Sequence, residues 1–282
     1  MIAWYYLAIL SSLFMGLSTL IEKKALKTEH PTAFSASFTT LIAIVSLVFI
    51  PFADFHISWS TVAIIYVISI ISTTTYVLTA KVYKHSSVSI ATPILSSLPM
   101  FFVVLLAYAF LGEKLTIMQY ASIAVLIFAT YFIISNKDEP RKKYIAMLVL
   151  ISFLSGIGFA VSKYLLGGIV NAFTFLILSE VFIAANMLVY MTIKFGGMKE
   201  IVANTRSNLL PIMAIVVLAI LYRLAFYFSL YTAQVSLAMP LRNTVNVIII
   251  VIGGGLVFKE SSIMKKLVLA LIMVACAALL IA

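Results

Sequence analysis

Apolar runs of about twenty residues alternate with short polar breaks along the whole chain. Ten such runs stand out, at 2–22, 31–51, 58–81, 87–111, 116–135, 143–165, 172–195, 209–232, 235–258 and 263–281. Each is long enough to cross a hydrocarbon core of roughly 30 Å at about 1.5 Å per residue. The breaks leave no room for a soluble domain, so the pattern predicts an all-α polytopic membrane protein with ten transmembrane helices. The first run ends in IEKKALK, not in a small-residue cleavage site, and no basic leader precedes it. It reads as a retained span, not a signal peptide.

Composition agrees. Hydrophobic residues make up 64% and charged residues 10% of 282, against roughly 45–50% and 25% in soluble domains. The net charge of +10 does not point to nucleic acid, because the basic residues are scattered over span ends and short loops and do not line one face. Anionic lipid head groups are the partner they fit. Fifteen basic residues follow the odd-numbered spans: Lys23, Lys24, Lys27, Lys81, Lys84, Lys137, Arg141, Lys142, Lys143, Lys194, Lys199, Arg206, Lys259, Lys265 and Lys266. Only Lys114 and Lys163 lie at the opposite surface, so the positive-inside rule places the fifteen in the cytoplasm and both termini outside. The one cysteine, Cys276, excludes an intrachain disulfide and makes a Cys-rich metal site untenable. His30, His56 and His85 show no ligand spacing, and HExxH, GxSxG and GxxxxGK[ST] are missing. No metal, cofactor or enzymatic constellation is expected, so any energy must come from an ion or substrate gradient.

The sequence also repeats itself. VSIATP at 88–93 returns as VSLAMP at 235–240, which sets Pro93 on Pro240 at an offset of 147 and carries Glu113 onto Glu260. Near the front of each half, Ser12, Gly16, Lys23 and Leu26 match Ser152, Gly156, Lys163 and Leu166 at an offset of 140. The halves are 1–135 and 144–282, joined by the charged linker 136–143. Five spans in each half force the second copy to enter the membrane from the opposite side, so the repeats are inverted. That plan recurs in secondary transporters, whose mirrored halves exchange roles about a site near the midplane.

The five-span unit, its VSxAxP entry to the fourth span, its LGE-type exit and the lysine ending its first span resemble the EamA branch of the drug/metabolite transporter superfamily. The resemblance covers essentially the whole chain. It implies a central cavity lined by spans 1, 3, 4, 6, 8 and 9, with spans 2 and 7 peripheral, and export or exchange of small metabolites, often amino acids, across the cell (plasma) membrane. It also implies cytoplasmic termini, opposite to the charge count.

Ionisable groups deep in a span cost roughly 2.5–3.5 kcal/mol on insertion scales and mark candidate sites. Three stand out. By helical rise Arg223 lies roughly 13 Å, Arg242 roughly 10 Å and Glu180 about 12 Å from one surface. Arg242 and Asn246 are four residues apart, as are Arg223, Tyr227 and Tyr231, which predicts facing stripes and a cationic, aromatic-walled substrate pocket. Arginine presents a planar fork suited to carboxylate or phosphate, and Pro240 breaks the helical ladder beside it. Either arginine could instead form a buried ion pair with Glu180. Glu180 itself reads as a counter-ion or a proton-coupling group. Lys23 and Lys163 are candidate gates or snorkelling side chains. Pro93 and Pro240 read as hinge positions, and Glu113 and Glu260 as structural groups near Thr116 and Ser262, the caps of spans 5 and 10. Polar groups of the first half are hydroxyls, in STTTY (72–76), at Ser96 and Ser97, and on a stripe of span 1 with Ser11, Ser18 and Glu22. Hydroxyls commonly bond back to their own helix or join helices.

The expected function is a secondary transporter of small metabolites, amino acids or small carboxylates, working by alternating access. The alternatives are a receptor that binds without transport, and a transporter of phosphorylated sugars or drugs. Sugar-phosphate translocators carry a Lys-Arg pair in span 9, where this chain has Asn246 and Val247.

Overall fold

The structure, a computed structural model, describes residues 3–25, 31–85, 88–134, 142–195 and 199–258, and farther on 268, 272, 275–276 and 278–280. Helix is the only regular structure among them: α1 (Trp4–Ala25), α2 (Pro31–Ser46), a 3-10 turn (Leu47–Phe52), α3 (Trp59–His85), α4 (Val88–Leu111), α5 (Ile117–Ile134), α6 (Lys142–Leu166), α7 (Ala172–Phe195), α8 (Lys199–Ser207), α9 (Leu209–Thr232) and α10 (Val235–Phe258). Eight of these stretches are long and apolar enough to cross a membrane, and Ile117–Phe128 is a shorter apolar helix. The helix limits agree with the first nine apolar runs of the sequence to within a few residues. A hydrocarbon slab admits only backbone that satisfies its own hydrogen bonds, so an apolar run of that length becomes a helix. Of the tenth span, Cys276 and Leu280 pack on Ile123 and Leu126 of α5 and on Val247 and Val251 of α10. The linker, 136–143, lies mostly outside the described residues.

Local chemistry sets the ends. Gly112, at φ 66°, takes the left-handed backbone that glycine adopts at no steric cost and turns the chain back, so that Glu113 N–H donates to Ala107 O at 3.2 Å. A capping box starts α5: Gln119 N–H donates to Thr116 Oγ1 at 3.2 Å and Thr116 N–H to Gln119 Oε1 at 3.0 Å. The break after α7 contains α8, whose buried Ile201 packs with Ala33 and Ala36 of α2 and accepts a bond from Ser37 Oγ at 3.2 Å through its carbonyl.

Helices α9 and α10 are the eighth and ninth spans. The first span packs on both of them, the sixth span (α6) packs on α3 and α4, and α4 meets α10 between them. Glycines stand at the close approaches, Gly253 against Leu20 of α1 among them. A Cβ at Gly16 would meet Ile249 Cγ2 at 2.6 Å, and one at Gly156 would meet Phe102 Cβ at 2.6 Å. The glycines differ by 140 in number and their partners by 147, the two offsets of the sequence repeat. Small residues at such crossings let backbones approach where lipid supplies no hydrophobic drive.

One end of the bundle is sealed by a large apolar cluster that includes Ile65, Met100, Leu165, Phe175, Phe226, Leu230, Val235 and Met239. Polar contacts join the same end. Asp54 N–H donates to Thr174 Oγ1 at 2.8 Å, and Thr174 Oγ1 donates to Asp54 O at 2.7 Å.

Candidate functional site

Above that seal lies a cavity of about 320 Å³. Its walls come from α1, α3, α4, α6, α7, α9 and α10. Buried residues, among them Phe175, Phe226 and Arg242, surround its deep end. The half-buried Glu22, Thr75, Thr79, Leu154 and Ser155 lie toward the opposite end, where α1 and α3 finish and α6 begins. Span 7 belongs to this wall through Phe175, Ser179, Glu180 and Ile183, which corrects the expectation that it is peripheral. Its inward face is held there because α7 packs on α2, α3 and α9 together.

The three buried charges do meet in this space, but unequally. Arg223 Nε lies 3.2 Å from Glu180 Oε1, with both side chains almost fully buried, and its Nη2 donates to the Tyr76 hydroxyl. Arg223 is therefore neutralised in place. Arg242 is 4% exposed, and no carboxylate of the described residues reaches it. Its Nη2 donates to Met15 Sδ at 2.9 Å, a weak acceptor. Its Nε has no hydrogen-bond partner. Ring faces fill the rest of its surroundings, with Phe226 at 4.4 Å, Tyr222 at 5.4 Å and Phe159 at 5.7 Å from the guanidinium carbon to the ring centres. Cation–π contacts compensate only part of what burial removes. The deep end of the site thus carries a guanidinium that no described residue pairs by direct ionic contact.

Other expected site residues fall on both sides of the wall. Tyr227 lines the cavity. Tyr231 does not: its hydroxyl accepts from Ala172 N–H at 2.5 Å near the sealed end. Asn246 is also off the cavity, 1% exposed and turned toward α1, where its Oδ1 lies 3.4 Å from the Cβ position of Gly16. Four residues advance a helix by about 400°, so Asn246 sits roughly 40° past Arg242. That rotation carries it into the α1 contact. Asn243 takes the wall position instead and donates from Nδ2 to Ser96 O at 2.7 Å. Helical spacing offers no reason to prefer it; adjacency to Arg242 is the only signal. Tyr222 and Phe226 lie one and three residues from Arg223 on α9, while Phe159 and Met15, on α6 and α1, carry no signal in the sequence.

The lysines stand at opposite ends. Lys163 Nζ donates to Leu230 O at 2.6 Å beside the seal, and Lys23 is half-buried next to Glu22. Pro240 lies inside α10 and Pro93 within the α4 range. Most hydroxyls behave as expected of structural groups: Thr73, Thr74 and Thr75 bond carbonyls of their own helix, while Ser11 and Ser12 donate to Tyr222 O at 2.7 Å and Arg242 O at 2.6 Å.

Glu113 is structural, though not at α5. Its Oε1 accepts Val235 N–H at 2.9 Å, and its Oε2 accepts Ser236 N–H at 3.0 Å and the Ser236 hydroxyl. It caps α10, more than a hundred residues away, because Gly112 turns the chain there. Glu260 lies outside the described residues. Glu113→Ala is expected to lower stability by about 0.5–2 kcal/mol, the range for a lost helix cap, with thermal unfolding in detergent as the measurement.

A multi-pass integral membrane protein with a charged, aromatic-walled cavity among its helices is the class these features define. A solved structure described as "Crystal structure of protein" superposes with a TM-score of 0.71 at 14% identity, covering 98% of this chain and 94% of that one; the likeness is one of fold. No curated protein matches the chain. The EamA-like transporter family model matches residues 2–135, which places that segment in the family, within the drug/metabolite transporter superfamily.

Proposed function

We propose that the protein is a secondary transporter that exports or exchanges a small carboxylate-bearing metabolite, an amino acid or a simple carboxylic acid, by alternating access. The observation that carries this reading is Arg242, a buried guanidinium in the cavity wall with no anion of the described residues against it. A bound carboxylate would supply the missing charge and accept the planar fork. A phosphorylated sugar brings about −1.5 to −2 charges, more than this cation balances.

Two inverted halves, 1–135 and 144–282, provide the rocking units. Two hydrogen bonds support this register, Arg223 with Tyr76 and Asn243 with Ser96, since each joins residues 147 apart. A residue can touch its own repeat mate only near a two-fold axis. The cavity sits between the halves, closed at one end by the apolar seal and lined at the other by half-buried groups near Lys23 and Lys81. If the basic loops are cytoplasmic, this conformation faces inward and the termini lie outside.

The test is counterflow. Proteoliposomes loaded with unlabelled amino acids or carboxylates are expected to take up the labelled compound transiently above equilibrium. Binding without such exchange would instead support a receptor.

A further inference from the structure

We infer that Glu22 is a cation subsite for the ammonium of the substrate, so that the cavity selects a zwitterion over a plain carboxylate. The inference rests on the reading of this cavity as the substrate site.

Glu22 lines the same cavity as Arg242, and no hydrogen bond or ion pair ties it to another described residue. It lies on one stripe of α1 with Met15 and Ser18, at helical spacing. Met15 is the residue whose sulfur touches Arg242. Seven residues, or about 10 Å of helical rise, therefore separate Glu22 from the level of the guanidinium. Two long side chains and two ion contacts of about 2.8 Å each leave a small zwitterion to fill that interval.

The other ionisable groups of the cavity do not compete. Across it stand Tyr76 of α3 and Glu180 of α7, and the helices packed on α1 bring Tyr222, Arg223 and Tyr227 from α9 and Arg242 from α10. Arg223 is held by Glu180, so that pair is neutral. What remains is one carboxylate near the mouth and one guanidinium at the deep end. A zwitterion satisfies both and leaves the loaded cavity neutral. A plain carboxylate leaves Glu22 unbalanced as the cavity closes, and a plain amine leaves Arg242 so. Isolated charge within the membrane is strongly disfavoured, so closure discriminates by charge pattern before it discriminates by shape.

The test compares leucine with isocaproate, and phenylalanine with hydrocinnamate, pairs that differ by the amine alone. Binding is titrated calorimetrically on the purified protein in detergent, and counterflow is measured separately in proteoliposomes. The wild type is expected to prefer the amino acid. In Glu22→Gln the amino acid should weaken by about 10- to 100-fold, the effect of one lost charge-assisted bond, while the deaminated acid binds as well or better. Glu22→Asp keeps the charge and should restore most of the preference. Equal weakening of both members of a pair overturns the inference, as does Glu22→Gln that leaves amino-acid binding intact, or a wild type that binds no amino acid. Preference in the titration without counterflow overturns the transport reading and leaves the subsite standing.

Discussion

Arg242→Gln is expected to abolish exchange while leaving a folded protein. Truncating one partner of a buried charge pair costs roughly 2–5 kcal/mol, which at about 1.4 kcal/mol per decade is on the order of 30- to 4000-fold in apparent substrate affinity. The fold should hold because the resident guanidinium contributes little to it. Its neighbours are a thioether and three rings, all content beside an amide, and the substitution removes a buried charge that the described residues leave unpaired. The melting temperature is therefore expected to stay level or rise even as counterflow disappears. Arg242→Lys should retain part of the activity, because it keeps the charge and loses the planar fork. Exchange at the wild-type rate in Arg242→Gln would remove this residue from the site and, with it, the main support for a carboxylate substrate.

Glu180→Gln should behave in the opposite manner. Here the partner left behind is Arg223, buried and tied otherwise to the Tyr76 hydroxyl. Breaking one side of a buried ion pair typically costs about 3–5 kcal/mol, because the remaining charge has no compensation. Glu180→Gln is expected to fall in that range, seen as a large drop in thermal stability in detergent. The double substitution Glu180→Gln with Arg223→Met should recover most of the loss, since replacing both ions with neutral groups is often near neutral. A double-mutant cycle reads the coupling directly. Additive losses would mean that the pair does not hold α7 to α9, and would return Glu180 to consideration as a coupling group. The two arginines are thus predicted to separate cleanly: loss of the Arg242 charge is silent in folding and lethal to exchange, whereas breaking the Arg223–Glu180 pair costs folding first.

Much of this was legible in the chain. The spans could be read because membrane insertion depends on local composition: a run such as 209–232 must be helical wherever it sits, and α9 has those limits. Cap chemistry was local too, and Thr116 begins α5 through its own neighbour Gln119. Arg223, Arg242 and Glu180 could be singled out because charge is costly in that setting irrespective of context. Even the glycine crossings followed the two offsets, since Gly16 and Gly156 meet Ile249 and Phe102 in equivalent ways.

Tertiary structure decided the pairing. Depth alone put both arginines level with Glu180, and only the rotation of α7 and α9 about their axes gives the carboxylate to Arg223. A turn of about 40° separates Arg242 in the cavity wall from Asn246, which packs against α1. Glu113 reached α10 because Gly112 reversed the chain there. The sequence by itself determined what must cross the membrane and which groups are costly there, because those follow from each residue's own transfer free energy. Which charges cancel and which one is left without a described counter-ion was left to the packing, because that depends on how helices distant in sequence rotate against one another.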